Sequence, residues 1–63
     1  MLVIGYRGNI NKSEVIKSLS KHTDFKKDDL KTIATNIVAG NTVNLPNDFV
    51  LREELEALNI LLK

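Results

Sequence analysis

Cysteine is absent from this 63-residue chain, and so is tryptophan. Without thiols there is no disulfide framework and no thiolate-held zinc. The single histidine, His22, cannot build a His-rich metal centre. Long apolar runs are missing too. The longest, residues 1–4, falls far short of the roughly 20 residues a bilayer span needs, and it is too short for the apolar core of a secretory leader. No membrane partner and no cofactor are therefore expected, and a thiol-free chain fits a reducing, cytoplasmic setting. Charge of one sign is also scarce, because nine basic and eight acidic side chains leave a net +1. What remains, 43% apolar and 27% charged residues, is the composition of one small globular domain. Its core must be small, since a chain this short buries only roughly 60% of the surface it exposes when unfolded.

Catalytic patterns are thin. Gly5, Gly8 and Gly40 do not have the spacing of a phosphate-binding loop. Ser13, Ser18 and Ser20 share a helical stretch with His22, but a nucleophile and base need an orienting carboxylate and an oxyanion pocket. Asp24 is close in sequence, and a helix end is a poor place to hold all three. His22 reads instead as a helix-end residue, stabilised when protonated by the dipole there. Asp28, Asp29, Glu53, Glu54 and Glu56 read as solvated helix surface. The Asn11-Lys12-Ser13 triplet matches a glycosylation acceptor by chance only, with no secretory leader to send it there. An enzyme is not expected.

The pattern of side chains predicts six elements. Residues 1–6 are short, β-branched and apolar, as a central strand should be. Asn11 then predicts a helix cap. Glu14 stands three residues on, and Ile10 and Val15 are placed as a hydrophobic staple. Val15, Ile16 and Leu19 form the stripe of this helix, which fails near residues 22–24. In a second helix Asp28 and Asp29 sit in the first turn. Leu30, Ile33, Ala34, Ile37 and Val38 follow the helical period, and Gly40 is the left-handed stop. Residues 42–45 alternate as a half-buried strand, and residues 46–48 turn and cap a third helix carrying Leu51, Leu55 and Leu58. Asn59 is its left-handed terminator, and residues 60–62 form the last strand.

The order β-α-α-β-α-β has short connections throughout, and no linker or repeat interrupts it. Counting traverses, the second and third strands both oppose the first. The expectation is a two-layer α/β (α+β) fold: three helices on one face of a three-stranded antiparallel sheet, first strand central. The other face would be open, with half of Met1, Val3, Val43, Leu45 and Leu61 pointing into it.

Charge divides along the chain. Residues 1–31 hold seven basic and four acidic side chains, net +3, and residues 32–63 hold two basic and four acidic, net −2. The first two helices thus form a basic hairpin and the third helix is acidic, a split that steers acidic partners to one face.

The run Asn11-Lys12-x-x-Val15-Ile16-Lys17, then Thr23, Phe25, and Lys31 before Ile33, resembles the C-terminal domain of the bacterial large-subunit ribosomal stalk protein, the seven/twelve type. The likeness covers essentially the whole chain, with a gap of about two residues near Pro46. Ser13 stands where that family has an apolar residue, Ser20 where it has a basic one, and Asp24 and Lys26 where it has glycines. The resemblance implies that the two-helix face binds translational GTPases, through Lys12, Ile16, Lys17 and Lys31. Because the sequence starts at the domain itself, it implies the factor-binding module without the segment that dimerises and anchors a stalk subunit. The Clp protease adaptor shares this two-layer fold, but the stretch Gly8-Asn9-Ile10-Asn11 lacks the acids with which that family holds an N-terminal amine.

The resulting expectation is a non-enzymatic protein-binding module. Ile16 serves as its apolar anchor, unless it belongs to the core beside Val15, and Lys12, Lys17 and Lys31 steer an acidic, partly apolar protein surface. Two other classes of partner are expected alternatives. One is a second copy, forming a homodimer across the open sheet face. The other is nucleic acid, which the lysines of the first half would attract, although net charge is low and no aromatic stacking platform is present.

Overall fold

The computed structural model describes all 63 residues. Its elements are β1 (Leu2–Tyr6), α1 (Lys12–His22), α2 (Lys27–Val38), β2 (Val43–Asn44), α3 (Phe49–Ala57) and β3 (Ile60–Leu62). The sheet order is β2-β1-β3, and both pairings are antiparallel. The first strand is central, and the fold is the expected mixed α+β arrangement with its helices on one side.

Local chemistry sets the element ends. Asn11 accepts a hydrogen bond from the Glu14 amide at 3.2 Å and starts α1. Thr23 closes it, donating both its amide (2.9 Å) and its hydroxyl (2.6 Å) to the Leu19 carbonyl. Helix α2 ends in a left-handed cap. Gly40 takes φ +84°, its amide reaches the Ile37 carbonyl, and the Asn41 amide reaches the Asn36 carbonyl. The Tyr6 hydroxyl donates to the Val38 carbonyl at 3.1 Å, tying that end to β1. Asp48 caps α3 by accepting from the Leu51 amide at 3.0 Å, and Asn59 reverses the chain into β3 at φ +68°.

The core is one cluster. Val3 and Ile60 reach it from the sheet, Val15 and Leu19 from α1, Leu30 and Ile37 from α2, and Leu51 and Leu55 from α3. Helix α2 lies over β1 and β2, α3 lies over β3, and α1 packs against both helices and bridges them. Every helix therefore spends its apolar stripe on the same small core, as a domain of this size requires.

Two expectations are corrected. The second strand is only Val43–Asn44, shorter than residues 42–45. Leu45 still exchanges backbone hydrogen bonds with Met1, through its amide at 2.7 Å and its carbonyl at 2.6 Å, but Pro46 has no amide with which to continue the ladder. The open face is also lined differently. Val3 and Leu45 are buried, and Met1 and Val43 pack against the core, so of the five residues, half of which were expected on that face, only Leu61 lies on it. Strand alternation puts Leu2 and Ile4 beside Leu61, because their neighbour Val3 points inward. A bulge at Ile4 and Gly5 opposite Leu61 then returns Tyr6 to the inner side.

Candidate functional site

The α1–α2 hairpin carries all four residues singled out from the sequence. Its two helices are joined by only four residues and run antiparallel. Lys12, at the start of α1, donates from Nζ to Thr35 Oγ1 in the last turns of α2 at 3.4 Å. Ile16 follows Lys12 by one helical turn, and Lys31 precedes Thr35 by one. The antiparallel register therefore sets Ile16 level with Lys31, one rung along the seam from the Lys12–Thr35 contact. Ile16 is partly buried and packs against the core with one side, while all three lysines are exposed. Lys17, one residue beyond Ile16, is turned about 100° farther round α1 onto its outer ridge. Lys12, Ile16 and Lys31 thus share the seam, and Lys17 stands outside it.

Several hairpin charges have other duties. Lys21 Nζ lies 3.8 Å from Glu54 Oε1, on the α3 side of α1 and away from the seam. Asp28 and Asp29 occupy the first turn of α2, where the helix dipole favours them. Phe25, in the turn between the helices, is exposed.

On the opposite flank of α1 lies a cluster that the sequence did not disclose. Ser18 is buried and donates to Glu54 Oε1 at 3.2 Å, and His22 Nε2 hydrogen-bonds Glu54 Oε2. The His22 hydrogen bond holds the Glu54 carboxyl below its ordinary 4.5, partial burial works against it, and the Ser18 hydrogen bond and the charges of His22 and Lys21 work with it. The carboxylate that orients His22 is Glu54, not the nearby Asp24. It sits between serine and imidazole, so the Ser18 hydroxyl donates its hydrogen bond to the acid and not to the imidazole. This arrangement fastens α1 to α3. Its only sequence signal is the spacing of Ser18 and His22, one turn apart on the α1 stripe, which marks two polar side chains turned inward.

No three His, Cys, Asp or Glu side chains converge as a metal site would require, and no helix is long and apolar enough to cross a membrane. Compared with protein-family models, curated proteins and solved structures, the chain gave no match.

Proposed function

We propose that the chain is a small non-enzymatic module that binds a protein partner through the α1–α2 hairpin, in the manner of the factor-binding domain that its sequence resembles. The observation that carries this reading is the Lys12–Thr35 contact, which sets Ile16 and Lys31 on one seam. A partly buried apolar side chain ringed by exposed lysines fits an acidic partner helix that offers an apolar residue of its own. The partner class implied by the resemblance is a translational GTPase of the cytoplasm. The lysines supply the approach: opposite charge speeds encounter, and the apolar contact at Ile16 slows escape.

The test is direct binding to a purified translational elongation factor, followed by fluorescence anisotropy at two salt concentrations. Lys17→Glu and Lys31→Glu should each slow association severalfold and flatten its salt dependence, while thermal stability stays where it was. If both variants bind like the wild type, or if the wild type does not bind the factor at all, this reading is wrong.

A further inference from the structure

The outer side of the molecule, beyond β3, is built as a self-complementary edge. Arg7 donates its amide to the Asn59 carbonyl at 2.9 Å, and Lys63 donates its amide to the Leu2 carbonyl at 2.8 Å. These bonds show that residues 59 and 63 direct their backbone groups toward β1. Val3 with Leu62 and Tyr6 with Ile60 are then the pairs that exchange no hydrogen bonds. The amides and carbonyls of Ile60 and Leu62 point away from the sheet, along a free edge. Leu61 stands between them on the open face. With Ile4, Arg7 and Glu56 it lines a groove of about 470 Å³.

The helix layer repeats this symmetry. Glu54 faces α1 through Ser18 and His22. Arg52 and Glu56 lie two residues to either side of it, each about 200° round α3, so both face outward past β3. They pair with each other at 3.5 Å, and both are substantially exposed. Because α3 runs antiparallel to β3, Glu56 is level with Ile60, and Arg52 is level with Leu62. The spacings agree: four helical residues rise about 6 Å, and two strand residues about 6.6 Å. Phe49, 72% exposed, continues the same stripe one turn beyond Arg52.

We propose that this edge binds a second copy of the chain, with the two β3 strands pairing antiparallel about a two-fold axis through Leu61. One axis satisfies both layers. Ile60 of each copy exchanges backbone hydrogen bonds with Leu62 of the other, and the two Leu61 side chains meet on the open face. Glu56 of each copy faces Arg52 of the other. A sheet of six strands results, and an isologous contact of this kind closes at two copies. This surface differs from the open-face dimer anticipated from the sequence, and it leaves the hairpin seam free, so it goes beyond the proposed function and is tested separately.

The edge is only three residues long, so association is weak and is measured at millimolar concentration. In sedimentation equilibrium the wild-type mass should rise with concentration toward twice the 7.1 kDa of one chain. Arg52→Glu and Glu56→Arg should each remain at the mass of one chain, because every contact across the axis becomes like-charged. An equimolar mixture of the two variants should regain the doubled mass, since each then meets its opposite. Far-UV circular dichroism checks that both variants remain folded, and the double variant R52E/E56R, which keeps an ion pair on α3, should dimerise as the wild type does. A wild type that stays at one chain, single variants that dimerise unchanged, or a mixture that stays monomeric overturns the proposal.

Discussion

Replacing Leu19 with alanine separates the core side of α1 from its partner side. Leu19 is fully buried among residues from all three helices and the sheet, and the change deletes three carbons there without altering any charge. Such deletions cost about 3 kcal/mol, within a usual range of 2–5. A domain of this length has a total stability of about 3–9 kcal/mol, so the loss is a large share of it. Ile16, three residues earlier, keeps part of its side chain in water, so Ile16→Ala should cost only about 1 kcal/mol. Urea unfolding followed by circular dichroism reads the difference. With a slope of about 1 kcal/mol per molar urea, Leu19→Ala lowers the midpoint by about 3 M and Ile16→Ala by about 1 M. Equal losses in the two variants would refute the reasoning. Ile16 would then be an ordinary core residue, and the seam would have no apolar side chain to offer.

Three further outcomes follow from the geometry. Asn11→Ala and Asp48→Ala each remove a side-chain cap and should each cost about 1 kcal/mol in the same urea assay; a loss below about 0.3 kcal/mol would mean that the cap contributes nothing. Glu54 is held below its ordinary 4.5 in the folded chain, so its interactions stabilise the fold above that value and fade as pH falls through the lowered one. The stability gap between the wild type and Glu54→Gln should therefore be present above 4.5 and shrink below it, and a gap that widens on acidification would contradict the sign. Asn59→Ala places a Cβ-bearing residue with no compensating side chain at φ +68° and should cost about 1 kcal/mol, measured by the shift in melting temperature.

The strands and helices were legible because their signals are local. The apolar run of the first strand, the Asn11 cap, the period of Leu30 to Val38 and the Gly40 stop each act within a few residues. Together with the traverse count they sufficed for the sheet order. The lining of the open face was not legible, because strand alternation does not say which of its two sets turns toward the helices, and the bulge at Ile4 and Gly5 that returns Tyr6 to the inner side has no local signal beyond a glycine in a strand. The Ser18–His22–Glu54 cluster was hidden for a different reason. Glu54 lies 32 residues from His22, and the chain order alone does not say which side of α3 meets α1. Of the candidate face, the Lys12–Ile16 stripe is plain from its one-turn spacing. That Lys31 joins it depends on the antiparallel register of the two helices, which is a property of the packing, whereas the 100° step from Ile16 is enough to set Lys17 outside it.

The most direct measurement is a nuclear magnetic resonance titration of the isotope-labelled chain with a purified translational elongation factor. The amides of Lys12, Ile16, Lys17 and Lys31 should shift or broaden first, with Leu2, Ile4 and Leu61 unmoved. Changes centred on those three sheet residues, or a spectrum that the factor leaves untouched, would contradict the claim that this protein meets its partner through the helical hairpin.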